Sequence, residues 1–452
     1  IASGTGINQN AGSSIINTDS GNISITNTVG ESNIGRVINQ NGDITISSST
    51  NNGNIKFNDE VNAQNGNITV KSNTYIIQNT ADAILKAEGD INLTSNFDTG
   101  SVDSALKVNS GGKVNSTGRG IYLESPDMDI NTGTITASRD VNIKTTGTSG
   151  SLNATGTIKG QNVVINTIDS IMQDESLDLA INATGNINLT AQNGNIGSSS
   201  GTGDIPNRLD VASGGIVTAS ASKGEININS VNKNITFGNI ISAGDINLSS
   251  TGNAGQITTN STLQADNGSI NIDSSKNIML KNKVSALNDV NLKVQTGIKH
   301  TAGEMSSATG NVNITNAVSG DIILKNVTAS DGNITISAEN STGDISLTGK
   351  LTALSSDTTN GVVTINSGRN LSQTGTDSGI SAQNSIHLSS KTGSIGKSDT
   401  DNIKINIDNT DGLLTADAEN GSIYVQTSDK DLNLGSISAK DNVSLKTTGA
   451  SG

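Results

Sequence analysis

The chain has 452 residues, a net charge of −14, 51 Gly, 2 Pro, no Cys, no Trp and only 1% aromatic residues. That charge argues against a nucleic-acid partner and against anionic lipid. The missing Cys excludes a disulfide framework and any Cys-based zinc site, and no apolar run approaches the roughly 20 residues of a membrane span. So few rings cannot fill an ordinary globular core of this size. A narrow core of stacked Ile, Val and Leu does not need them. Low hydrophobicity could signal disorder, but the apolar residues are β-branched and fall on a period of two, the pattern of half-buried strands.

Taken from the N-terminus, the strands announce themselves by their first inward residue: Ile23, Ile44, Ile68, Ile91, Val141, Val163, Ile187, Ile226, Ile246, Ile270, Val290, Val312, Ile334, Ile345, Val363, Ile386, Ile423 and Val443. Most steps are close to 20 residues, some are half that, as from Ile334 to Ile345, and a few are near-multiples, as from Ile187 to Ile226. Such a period belongs to solenoids. The repeating unit is Gly, then Asp or Asn, then an alternating run, as in ATGNINLTAQNGNIG at Ala183–Gly197. The Gly is expected to supply a turn through positive φ. An apolar-x-Gln element precedes four of the strands, ending at Gln9, Gln78, Gln173 and Gln373, each 13 or 14 residues before the strand's first Ile, which is Ile23, Ile91, Ile187 or Ile386. A rung therefore reads strand, turn, strand, Gly turn, strand.

Between residues 96 and 130 the pattern is least regular and holds Pro126, which predicts a loop or inserted hairpin there. Pro206 predicts a second loop near Gly201–Leu209. Ile171–Ala180 is the best helix candidate, but Leu177, Leu179 and Ile181 alternate and favour a strand. VNIKTTGTSG at Val141–Gly150 returns as VSLKTTGASG at Val443–Gly452. Ile1 onward shows no basic and apolar leader. Both ends run in repeat-like sequence, so a longer repetitive parent chain is expected.

These features predict an all-β fold, a parallel β-helix of about 20 residues per rung forming one continuous solenoid over 1–452. Stacked rungs about 4.8 Å apart would make a rod on the order of 100 Å long. Ile would stack on Ile, and Asn on Asn in hydrogen-bonded ladders. The I-x-Q and G-[DN]-I-x-[ILV] elements resemble the haemagglutinin-type repeats of filamentous-haemagglutinin-like surface exoproteins of bacteria. That resemblance implies a right-handed β-helix, secretion by the two-partner route through an outer-membrane transporter, and an extracellular or cell-surface location. It also implies a role as adhesin, with a host or neighbouring-cell receptor or glycan as partner and possible lateral or end-to-end self-association, or as the stalk of a contact-dependent toxin. The family's N-terminal secretion domain and C-terminal toxin-like domain have no counterpart here.

No residue is assigned a catalytic, cofactor-binding or metal role, and a non-enzyme is expected. Asp127-x-Asp129-x-Asn131 begins like a calcium loop, but Thr132 and Ser138 stand where Gly and Glu are needed. Gly197–Gly201 matches G-x-S-x-G without a following helix. Ser220-x-x-Lys223 and Lys391-Thr392-Gly393 match pieces of the penicillin-binding signature, also without its helix. A polysaccharide-degrading β-helix would need paired carboxylates. The candidates are Asp59/Glu60, Asp127/Asp129 and Asp174/Glu175. The three Tyr and three Phe are dispersed, and Tyr122 near Glu124 and Asp127 is where a ring and acids come together. His300 is expected in a loop and His387 on the outer face of a strand. N-x-S/T sequons, as at Asn22, Asn67 and Asn333, follow from the abundance of Asn and Thr.

Overall fold

The structure, a computed structural model, describes residues 1–10, 12–197, 208–338, 342–375, 377–428 and 430–449. The described residues contain strands and turns and no helix. Strands pair in parallel with the next turn of chain, about 20 turns of roughly 22 residues, and the fold is a β-solenoid. The chain divides into two compact units, Ile1–Ile228 and Asn229–Gly452.

In the first unit, long strands stack in register: Ile23 on Ile44, Ile68, Ile91 and Val114. Their inward residues are buried, and each buried Ile or Val contributes about 1.5–3 kcal/mol of hydrophobic stabilisation. The rest of each turn is a pair of short strands, such as Ile76–Gln78 with Ile84–Ala87, stacked on Ile55–Phe57 with Glu60–Ala63. The second unit repeats this plan. Long strands beginning at Ile246, Ile270, Val290, Val312, Ile334, Val363, Ile386 and Leu414 form its sheet. Short pairs such as Ile278–Leu280 with Val284–Ala286 complete its turns. The half-period in the sequence is the step from long strand to split pair.

The Gly-[Asp/Asn] element has a clear mechanical role. In the first unit Asp43 N donates to Asn22 Oδ1 (2.8 Å), Asn67 N to Asp43 Oδ1 (2.8 Å), Asp90 N to Asn67 Oδ1 (2.7 Å) and Lys113 N to Asp90 Oδ1 (2.7 Å). Each corner side chain thus caps the backbone of the next rung. The preceding Gly is required for a reason other than the expected one. Gly66, Gly89 and Gly185 are not in the positive-φ region. Instead, a Cβ on Gly66 would lie 2.3 Å from the Gly42 carbonyl oxygen of the rung below. Close stacking, rather than turn geometry, excludes a side chain there. Asn also stacks along the outer face of the second unit, where Asn271 bonds Asn247 (2.7 Å), Asn291 bonds Asn271 (2.8 Å) and Asn313 bonds Asn291 (2.9 Å).

The segment 96–130 is more regular than its sequence suggested. It carries strands Leu106–Ser110, Val114–Gly118 and Ile121–Pro126, and Pro126 pairs with Thr146 at the very end of its strand. Only residues 100–105 leave the coil. His300 also departs from expectation: it ends the strand Ile298–His300, stacked on Leu280, and is fully buried. Its place in the I-x-Φ pattern of a split strand puts it inward. His387 faces outward, half-buried, with Nδ1 2.7 Å from Thr415 Oγ1. Pro206, Ser198–Gly201 of the G-x-S-x-G match, and Ala450–Gly452 lie outside the described residues.

Candidate functional site

At one place in the first unit the long strand and the split pair exchange sheets. The pair Ile76–Gln78 and Ile84–Ala87 is followed by the bridge at Thr99, a loop, and Leu106–Ser110. The next turn crosses the same span as one uninterrupted strand, Ile121–Pro126, with Ile121 on Thr99 and Leu123 on Leu106. From there the long strands Val141–Thr146, Val163–Thr167 and Ile187–Ala191 continue this sheet. In the other sheet, Val114–Gly118 pairs with Ile130–Ala137 through a register shift. The two ends of Ile130–Ala137 then lead to separate short strands, Leu152–Ala154 and Ile158–Gly160. The split pair has merged and the long strand has divided.

Three residues build this exchange. Gly100 has φ +69, and a Cβ there would meet the Tyr122 carbonyl oxygen at 2.3 Å. Gln78, the Gln of the I-x-Q element, is buried and accepts from Lys107 N (2.7 Å) where the chain re-enters after the loop. Gly133 marks the point of division in the run Ile130-x-Thr-Gly-x-Ile. The same parts recur. Gly197 has φ +68 and Gln173 accepts from Asp210 N (2.6 Å), just before Val211 stacks on Ile181. In the second unit the strand Ile235–Ser242, with Gly238 in its middle, leads to separate strands at Ile257 and Leu263. Further on, Gly396 has φ +78, Gln373 accepts from Lys404 N (2.9 Å), and Leu414–Ala418 pairs with Leu434–Ala439 through a register shift. Gln9 makes related bonds, accepting from Gly35 N and donating to Arg36 O.

The first exchange gathers the rings. Tyr75, Phe97 and Arg119 are spaced 22 residues apart and fall on successive rungs, Phe97 and Arg119 in one column and Tyr75 in the next. The rings of Tyr75 and Phe97 stack at 5.1 Å with planes 16° apart. The Arg119 guanidinium carbon lies 5.1 Å from the Phe97 centroid and 5.9 Å from that of Tyr75. Three distances this similar place Arg119 beside the pair, on its flank, rather than as a third layer. Asp98 holds it from the other side, accepting from Nε (3.0 Å) and Nη2 (2.7 Å). The Arg119 pKa is raised, chiefly by the Asp98 hydrogen bond. Two rungs further on, register places Asp98, Gly120 and Asp140 in one column and Arg119 and Arg139 in the next. Tyr122 lies beside Gly120. Burial, then the charges of Asp140 and Asp98, raise the Tyr122 phenol above its ordinary pKa. Tyr75, Phe97 and Tyr122 are therefore apart in sequence but close in space. Their common spacing of one rung was the available signal. Of the remaining rings, Phe57 and Phe237 are fully buried core, and Tyr424 stands at the third exchange as Tyr122 does at the first, its carbonyl facing the left-handed Gly396.

The carboxylates considered from the sequence are bonded within the scaffold. Asp127, at φ 54, accepts from Thr148 N (2.7 Å) and Asp129 from Ser151 N (2.7 Å), both one rung on. Asp59 accepts from Glu60 N, and Glu60 pairs with Lys86 at 2.9 Å. Asp174 caps Ser176 through N (2.9 Å) and Oγ (2.6 Å). Burial would raise the Glu124 carboxyl, but hydrogen bonds from Lys144 and Thr146 bring it below its ordinary value. Among the described residues no group of three His, Asp or Glu could hold a metal ion. No protein-family model, curated protein or solved structure matches the chain.

Proposed function

We propose that this chain is a non-enzymatic structural and adhesive element of a bacterial surface. It would be exported through an outer-membrane transporter partner and make contact with a host or neighbouring cell. The single observation that supports this reading is the division of labour among side chains. Along the regular rungs, corner Asp and Asn and outward Asn are bonded to the next rung, so they build the coil. The stacked rings of Tyr75 and Phe97, with Arg119 beside them and Tyr122 nearby, gather where the strands first exchange. An adhesin needs an inert scaffold that carries a recognition surface, and this division of labour supports that reading. The test is attachment of beads coated with the full chain to epithelial and bacterial cells, against beads coated with a chain of the same charge. Attachment equal to that of the control contradicts the adhesive reading.

A further inference from the structure

We propose that Tyr122 is the platform of a saccharide-binding site at the first exchange, with Asp140 and Arg139 as its hydrogen-bonding rim. This inference rests on the adhesive reading and names the ligand class of its site. Gly120 is the starting point. It lies between Asp98 and Asp140 in the column of corner residues, where Tyr75 and Asn162 carry side chains. A Cβ on Gly120 would meet Tyr122 Cε2 at 3.0 Å and Asp98 Oδ1 at 3.0 Å. The missing side chain lets the Tyr122 ring lean across the glycine, which is buried, while Tyr122 itself stays half-exposed. A ring laid along the surface presents one face to solvent, and the C–H face of a pyranose stacks on such a face.

The rim is not saturated. Asp98 is held by Arg119 and is unavailable. The Asp140 carboxylate accepts one bond, from Asn162 Nδ2 (2.9 Å), on Oδ1. Its second oxygen accepts none among the described residues. The Arg139 side chain is exposed and makes no hydrogen bond or ion pair among them. A guanidinium donor and a carboxylate acceptor side by side on the rung next to an aromatic ring match the hydroxyls of a sugar, each of which donates and accepts. The four charges, Asp98, Arg119, Arg139 and Asp140, cancel, so a neutral hexose fits better than a charged one. The third exchange supplies an internal control. Tyr424 occupies the equivalent place, but Ser394, Ser422 and Asn442 stand where Asp98, Gly120 and Asp140 stand at the first.

The experiment is biolayer interferometry of the full chain against a panel of neutral α- and β-linked hexose oligosaccharides, with circular dichroism melts to confirm that each variant folds. At least one oligosaccharide should bind. Tyr122→Ala and Gly120→Val should each weaken that binding about tenfold or more. Arg139→Gln should weaken it several-fold, and Tyr424→Ala should leave it unchanged. A panel with no binder, or binding indifferent to Tyr122→Ala and Gly120→Val in folded protein, overturns the proposal. If coated beads attach to cells and Tyr122→Ala makes no difference, the adhesive reading stands and this site falls. If the beads do not attach at all while an oligosaccharide still binds through Tyr122, the adhesive reading falls and the site stands.

Discussion

The first and third exchanges use one backbone device and carry different surfaces. Each has a buried Gln, a left-handed Gly, a merged strand and a register shift. Around the first are Tyr75, Phe97, Asp98, Arg119 and Tyr122. Around the third are Ser394, Gly421, Ser422 and Tyr424. The inward residues and the two glycines set the path of the chain. The outward residues are free of that duty, and there the chemistry differs. A solenoid can in this way keep its architecture while changing what it presents.

The comparison breaks most severely at the glycines. Gly100→Val and Gly396→Val should each destabilise their unit by on the order of 3 kcal/mol, because each forces a β-branched residue to positive φ against a carbonyl of the next rung. Urea unfolding would show this, and a loss at only one of the two would mean that the devices are not equivalent. Gln78→Leu and Gln373→Leu should follow, at about 1–3 kcal/mol each, since each leaves a re-entering backbone N–H without its acceptor. Hydrogen exchange at Lys107 and Lys404 should quicken with them. Arg119→Ala touches only the first exchange. Its pairs are partly exposed, so the loss should be smaller than at the glycines or the glutamines. Part of it should persist in high salt, because the ring contacts are not screened as the ion pair is.

A buried histidine gives a smaller effect, confined to the second unit. Burial lowers the His300 pKa below its ordinary value of 6.5, against a weaker opposing contribution from the backbone of Ala302. The unfolded chain therefore takes up the proton first as pH falls. Stability from the neutral ring is complete above about pH 6.5 and declines below it until the folded form also titrates. His300→Leu, stacked on Leu280, should remove this slope, as thermal melts between pH 7 and 5 would show. Asp357, held at about 2 by the backbone N–H groups of Asn360 and Thr359, does not titrate in that window.

Much of this architecture was legible in the sequence. Ile, Val and Leu at period two named the strands, and the 20-residue step named the solenoid. The three exchanges were visible as well, though not as such. The intervals from Ile91 to Val141, Ile187 to Ile226 and Ile386 to Ile423 break the regular step, and each spans one of them. Only pairing shows that the long strand has changed sheets there, because either sheet takes the same alternating pattern. The I-x-Q element looked like a family signature and is a backbone clamp. Arg119 and the stack of Tyr75 on Phe97 escaped notice for a different reason. Composition counts rings, whereas a solenoid brings together residues one rung apart. The fold of His300 inward was hidden by its polarity, although Ile298 two residues earlier set its direction.

The exchange of strands is the central claim, and engineered disulfides test it most directly in a chain with no cysteine of its own. With the register shift between Val114 and Ser116, Thr117 faces Thr136 across adjacent rungs, both outward. Adjacent-rung partners lie at the Cα separation a disulfide spans, about 4.4–6.8 Å. Thr117→Cys with Thr136→Cys should therefore close rapidly under mild oxidation, and Thr117→Cys with Ile135→Cys should not, because Ile135 is buried in the core. Rapid closure of the second pair, and none of the first, would mean an unshifted register with no exchange and would contradict the account.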